Sequence, residues 1–231
     1  MKDDLTLLYY TANILPERTA NNVRNHLLKV TGGKIPIVSV SQEPLDFGFN
    51  ITVGKIGRTY YNCYKQILTG AMLVKTRYVA CVEDDTLYSM EHFNHRPSSG
   101  TFAYNGNMWY AEYEKYWRKF EGQSGMCGCI VETKTLIDTL TPRYLKFPDP
   151  PDSERAQRHF QEPGRDDRWF GIENAETEHF TTRIALLTFN YFAGLGGKAI
   201  TKAHIPIIKK NMEPWGDCDA LHNRFWKGDG L

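Results

Sequence analysis

Three adjacent carboxylates, Glu83-Asp84-Asp85, stop the apolar run Tyr78-Val79-Ala80-Cys81-Val82 and are followed by Thr86-Leu87-Tyr88. Acids this close oppose one another's ionisation unless a cation or ligand neutralises them. A short β-branched run bounded by charge has the pattern of a buried strand, parallel rather than edge. In open α/β sheets, ligands sit beyond the carboxyl ends of the strands. Continued strand alternation puts Glu83 and Asp85 on one side and turns Asp84 away. Two hard oxygen donors on one side suit Mg²⁺ or Mn²⁺ together with a phosphate-bearing ligand. A solvated acidic turn is the competing reading, since acids are common in turns.

Other residues could join such a site. Thr11 and Asn13, in the polar loop Thr11-Ala12-Asn13, offer donors and acceptors to a base or ribose, or cap the helix near Pro16. Arg58 stands where a helix begins, although helix N-termini prefer acids. A diphosphate nearby would account for it, and so would simple exposure to water. Gln66, two turns on, is a ligand contact or a solvated side chain. The small residues of Gly125-Met126-Cys127-Gly128-Cys129 would let a ligand approach the backbone at Gly128. Glu173, between Ile172 and Asn174, is the acid of its segment best suited to chemistry. Glu176 and Glu178 are accounted for by the dipole of a helix expected over about Glu178 to Ala193.

The elements that must position these groups follow from the hydrophobic pattern. Leu5 to Tyr10 reads as a strand. Pro16-Glu17 opens a helix through about Lys29, which the Gly32-Gly33 signal ends. Ile35 to Val40 is a second strand, so the chain opens as the β-loop-α-β unit of a parallel sheet. No G-x-G-x-x-G or P-loop follows the first strand, which argues against a dinucleotide enzyme or an ATPase. Gln42 to Lys55 reads as an irregular connection, and a helix from about Arg58 to Val74 feeds the acidic strand. Thr101 to Tyr110 is expected as strand plus turn, Glu112 to Phe120 has helical spacing, and Gly125 to Val131 runs into a helix over about Thr133 to Leu140. Arg143 to Arg168 is proline-rich and charged, long enough to cover a substrate. Lys198 to Ile208 is read as a last strand carrying His204.

At 231 residues with a net charge of +1, the chain can bury a core without staples and carries no overall electrostatic footprint for nucleic acid or an anionic membrane. Aromatic residues make up 13%, many of them in polar stretches such as Asn107-Met108-Trp109-Tyr110, where they line sugar or base sites or pack loops onto a core. The five cysteines do not suggest a disulfide framework, and Cys127-Gly128-Cys129 lacks the second pair a zinc site needs. No signal peptide or membrane span is visible, and a reduced, cytoplasmic protein is expected. With no repeat and no linker, residues 1–231 are read as one domain.

In this order, the residues resemble a small glycosyltransferase of the GT-A fold, of the bacterial or phage type and similar to family 2. The resemblance covers most of the chain. It rests on the opening β-loop-α-β, on Glu83-Asp84-Asp85, on the small-residue strand at Gly125 to Val131, and on Gly171-Ile172-Glu173-Asn174-Ala175-Glu176. The acidic triplet is similar to the D-x-D motif, with Glu in first place. The later segment is similar to the G-G-E-N-x-E and W-G-G-E-D segments of some galactose- and N-acetylgalactosamine-transferring enzymes. What the resemblance implies is a mostly parallel, Rossmann-like sheet flanked by helices, with residues 1–110 binding the nucleotide sugar and 111–231 forming the acceptor side. It implies Mn²⁺ or Mg²⁺ on Asp85 and Glu83, completed by His204 or, second, His222. Donor contacts would come from Thr11, Asn13, Arg58, Gln66, Glu83, Asp84, Asp85 and Gly128. The implied reaction moves a sugar from a nucleoside diphosphate sugar, UDP-linked by family habit, to a hydroxyl of a glycan or of a modified base in phage-type DNA. If configuration inverts, Glu173 is the expected base, with Asp167 and Glu176 behind it. A sugar nucleotidyltransferase and a non-catalytic nucleotide-sugar or glycan-binding module are the alternatives.

Overall fold

The first strand, β1 (Leu5–Thr11), is buried along its whole length and has neighbours on both sides, β2 (Ile37–Ser41) and β4 (Tyr78–Glu83), each parallel to it. Continuous apolar character is what a central parallel strand requires, because helices cover both of its faces. The computed structural model describes residues 4–112, 116–119, 125–190 and 208–227. Between β1 and β2 runs α1 (Glu17–Thr31), ended by Gly32 in the left-handed region at φ 60°. β3 (Phe49–Thr52) adds a parallel edge strand beside β2, where the sequence had suggested an irregular connection. Its pairing is a tertiary decision, since four residues carry little pattern of their own. Then α2 (Tyr60–Ala71) leads into β4, with Thr59 as N-cap accepting the Asn62 N–H at 3.1 Å.

Past the acidic turn come β5 (Thr86–Leu87), β6 (Thr101–Asn105), β7 (Met108–Ala111), β8 (Trp117–Lys119) and β9 (Cys129–Glu132). They are followed by α3 (Thr133–Lys146), a four-residue α4 (Glu154–Gln157), β10 (Glu176–Phe180), β11 (Leu186–Phe189), β12 (Ile208–Lys209), β13 (Asn211–Met212), β14 (Gly216–Asp217) and α5 (Cys218–Lys227). The central sheet has seven strands in the order β10-β6-β9-β4-β1-β2-β3. Only β9 runs against its neighbours, so the expected mostly parallel sheet flanked by helices is what the chain forms. A second sheet, β12-β8-β7-β11-β5, packs beside it.

Alternation along β1 sorts the core. Leu8 and Tyr10 join Tyr61, Tyr64, Ile67 and Leu68 of α2, while Leu5, Leu7 and Tyr9 face Leu27 of α1. Each fully buried aliphatic side chain of this kind contributes about 1.5–3 kcal/mol. A third cluster under the small sheet joins Trp109, Trp117 and Phe189 to Leu221 and Phe225 of α5. Among the described residues, no helix is long and apolar enough to cross a membrane.

Two expected helices are strands. The stretch beginning at Glu178 carries the end of β10, parallel to β6, and then β11, between β7 and β5. Its Thr, Ile and Phe content favours strands, and ladders to partners some 75 residues distant outweigh the local helical spacing. Likewise Trp117–Lys119 pairs antiparallel with β7 instead of forming a helix. The expected last strand over Lys198 to Ile208 lies outside the described residues except for Ile208, which opens β12.

Candidate functional site

The chain passes from β1 through β2 to β3 on one side and then returns to place β4 on the other side of β1. The connections therefore diverge between β1 and β4, and a crevice opens beyond their carboxyl ends. There lies a cavity of about 250 Å³, bordered by Tyr10 and Thr11 of β1, Arg58 ahead of α2, and Glu83, Asp84 and Asp85. Its far side is supplied by Met126 and Cys127 before β9, Tyr110, Glu162, and Thr188 to Asn190. Residues from both 1–110 and 111–231 thus meet in one site.

Strand β4 ends at Glu83, and Asp84-Asp85 forms the turn that hands the chain from the large sheet to β5 of the small one. Because the alternation ends there, Asp84 does not face away: all three acids border the cavity. Asp84 also borders a smaller polar cavity beside Asn13, Glu17 and Arg24. Each carboxylate is oriented by a hydroxyl. Tyr10 donates to Glu83 Oε1 at 2.5 Å, Thr11 donates to Asp84, and Thr86 donates to Asp85 Oδ1 at 3.1 Å. The turn is braced as well. Tyr88 accepts the Glu83 N–H at 3.1 Å and donates to the Cys127 carbonyl at 3.0 Å, while Phe189 N–H donates to the Asp85 carbonyl at 2.8 Å.

This arrangement resists ionisation. Burial, and secondarily the charge of Asp84, raise Glu83 to about 7. Burial followed by Glu83 and Asp84 pushes Asp85 well above the usual carboxylate range, and burial raises Asp84. Among the described lining residues, Glu83, Asp84, Asp85 and Glu162 face one cationic side chain, Arg58. The donor set is all hard oxygen, which fits Mg²⁺ or Mn²⁺. Among the described residues no three His, Cys, Asp or Glu side chains converge to hold an ion by themselves, so a bound ligand's oxygens would have to complete the coordination.

The remaining candidates separate by position. Thr11, Arg58 and Gln66 border the cavity, but Gln66 is buried and spends its amide on the Thr11 and Val40 carbonyls at 2.9 and 3.1 Å, tying β1 to β2. Asn13, at φ 55°, borders the smaller cavity, and its Oδ1 accepts the Gln42 and Glu43 N–H groups. Gly128 stands behind Cys127, where a Cβ would meet Met108 Sδ at 2.8 Å; it allows packing and does not border the cavity. None of the three expected base candidates borders it either. Asp167 is 0% exposed and bound to Arg143, the Glu173 side chain is 93% exposed, and Glu176 is exposed on β10. His222 lies in α5, stacked on Trp226 at 4.6 Å and outside the cavity lining. His204 lies outside the described residues.

Sequence reasoning missed Tyr10, Tyr110, Glu162, Thr188 and Asn190 as lining residues. Tyr10 was legible as the penultimate residue of β1. Glu162 sits in a charged, proline-rich stretch without periodicity, and nothing local distinguishes it.

No family model matches the sequence, and no curated protein matches it significantly. Solved structures that the chain is similar to include Staphylococcus aureus TarS in complex with UDP-GlcNAc, at 10% identity and a TM-score of 0.48, covering 86% of this chain and 62% of that one. The mannosyltransferase PcManGT from Pyrobaculum calidifontis, in complex with GDP-Man and Mn²⁺, matches at 10% identity and a TM-score of 0.43, covering 84% and 58%. The bifunctional IspDF from Campylobacter jejuni matches at 11% identity and a TM-score of 0.43, covering 78% and 50%. The chain thus spans less than two thirds of each of these structures. With TM-scores below 0.5, the likenesses decide neither reaction nor substrate.

Proposed function

We propose that the chain is a divalent-metal-dependent glycosyltransferase of the GT-A kind, moving a sugar from a nucleoside diphosphate sugar, UDP-linked, to a hydroxyl acceptor. One observation carries this reading: a cavity at the β1/β4 switch point is bordered by three braced carboxylates and, among the described residues, a single arginine. Such a pocket repels a bare anion and suits an anion that arrives with a cation.

Asp85 and Glu83 would hold Mn²⁺ or Mg²⁺, with the diphosphate oxygens as further ligands. When bound, the ion supplies charge neutralisation for the leaving diphosphate. The chain's own groups do the rest. Arg58, which stands ahead of the Thr59 cap of α2, adds a second positive charge at the cavity. Thr11 and Asp84, bonded to each other at the β1/β4 junction, offer polar groups to the nucleoside. Tyr10 and Tyr110 border the cavity with apolar ring surface, which limits water around a reactive anomeric carbon. A glycan is the acceptor proposed; a hydroxylated base in phage-type DNA is a test arm.

The test is nucleotide release from a panel of UDP-, GDP- and CMP-sugars, with and without Mn²⁺, by wild type and Asp85→Ala. Release from a UDP-sugar that needs the metal and falls at least 100-fold in Asp85→Ala is the expected result, since removing one charged transition-state contact costs about 10²–10³. Metal-independent release, or undiminished release by Asp85→Ala, overturns the metal assignment. Nucleotide-sugar binding without turnover on glycan or DNA acceptors replaces the transferase by a binding module.

A further inference from the structure

Outside the acidic turn, Glu162 is the other carboxylate bordering the cavity among the described residues. It sits on the segment between α4 and the 3₁₀ turn Asp167–Phe170, and hydrogen bonds on either side pin that segment. Arg143 of α3, itself 0% exposed, donates Nη1 to the Gln161 carbonyl at 2.7 Å and Nη2 to Asp167 Oδ1 at 2.5 Å. The second oxygen of Asp167 accepts the Gly164 and Ala175 N–H groups at 2.7 and 2.9 Å. A carboxylate set between such anchors is presented at the cavity by a supported backbone.

The Glu162 side chain is 20% exposed and lies 3.2 Å from Arg165. The Met126 N–H also donates to it, and burial raises its proton affinity from its ordinary value. It comes from a different segment of the chain than the acidic turn, near Tyr60 at the start of α2, and its charge is felt at Glu83. The acidic turn supplies a cluster suited to the cation and leaving group. Glu162, paired with Arg165 and carried by its own pinned segment, is a further carboxylate at the same cavity. Resting on the transfer reading above, we infer that Glu162 is the proton acceptor for the sugar-accepting hydroxyl.

As the acceptor oxygen forms its bond to the anomeric carbon, its hydrogen passes to a Glu162 carboxylate oxygen. The bond from the anomeric carbon to the diphosphate oxygen breaks, and its electron pair leaves with the diphosphate. Attack from the side opposite the leaving group inverts the anomeric configuration, and Glu162 returns its proton to water. A positioned carboxylate of raised basicity is suited to this transfer.

The discriminating experiment separates nucleophiles that must lose a proton from one that need not. Nucleotide release from whichever panel sugar the wild type turns over is measured in water and in added azide, for wild type, Glu162→Gln and Glu162→Asp. Metal-dependent UDP binding is followed in parallel. The expected result is normal UDP binding by Glu162→Gln, with release in water lowered roughly 10²–10⁴-fold. Azide, already an anion, restores release and yields a glycosyl azide of inverted configuration, and Glu162→Asp retains part of the activity in water. Release by Glu162→Gln within twofold of wild type overturns the assignment. So does a loss that azide leaves unrepaired while UDP still binds, or a product of retained configuration. If Glu162→Gln fails to bind UDP, Glu162→Asp decides: wild-type UDP binding with loss of release only in water supports the role, and equal losses with and without azide overturn it. Wild type that releases nucleotide from no donor instead removes the transfer reading on which the role rests.

Discussion

At the scale of the residue, identical side chains acquire different work from their surroundings. Asp85 and Asp167 are both carboxylates in polar stretches, but one borders a cavity among other acids and the other closes a buried ion pair. The Arg143 guanidinium also lies over the Tyr64 and Phe170 rings at 5.6 and 5.0 Å, so its charge is surrounded by apolar groups and satisfied chiefly by Asp167 and Gln161. Asp167→Asn should therefore leave an uncompensated buried charge and cost about 3–5 kcal/mol in denaturant unfolding. Replacing both partners by apolar residues of similar volume should cost less than either single change. A loss below about 1 kcal/mol for Asp167→Asn would show that the pair is not what anchors the segment carrying Glu162.

At the scale of the element, α2 matters because it sets both the Arg58 end of the cavity and the depth of the sheet beneath it. The helix approaches β1 and β2 closely at Gly70, where a Cβ would collide with Leu8 Cδ1 and meet Val40 Cγ2 at 2.8 Å. Leu8 and Val40 are both 0% exposed, so neither has open space to move into. Gly70→Ala should then destabilise the fold by about 1–3 kcal/mol through overpacking, despite the better helix propensity of alanine. Equal or greater stability in chemical denaturation would show that α2 can slide without cost. The helix of this region was legible in the sequence to within a few residues, expected over about Arg58 to Val74 and formed over Tyr60–Ala71. The strands β8, β10 and β11 were not, because their ladders join distant residues and no local period records such pairing.

At the scale of the whole molecule, the acidic turn joins the two sheets and couples the site to stability. Glu83 carries a proton up to about pH 7 in the folded chain but only to about 4.5 when unfolded. Its stabilising contribution is therefore complete below pH 4.5 and is lost as pH rises through 7. A divalent cation binds the deprotonated carboxylates, so its effect runs the other way. The stabilisation gained on adding a fixed concentration of Mn²⁺ should grow from pH 5.5 to pH 8, reaching about 2.7 kcal/mol where that concentration is a hundred times the dissociation constant, and it should vanish in Asp85→Ala. A Mn²⁺ increment independent of pH, or one retained by Asp85→Ala, would place the ion elsewhere. By itself the sequence determined the opening β-loop-α-β, the buried β4 strand and the acidic triplet at its end, because burial patterns and charge boundaries are local quantities. Tertiary structure alone decided that Asp84 turns toward the cavity, that Asp167 is locked to Arg143, and that Glu162 meets the acidic turn across one pocket. Those outcomes depend on where the chain leaves one sheet for another and on which distant side chain satisfies a buried charge. No spacing along the chain encodes either.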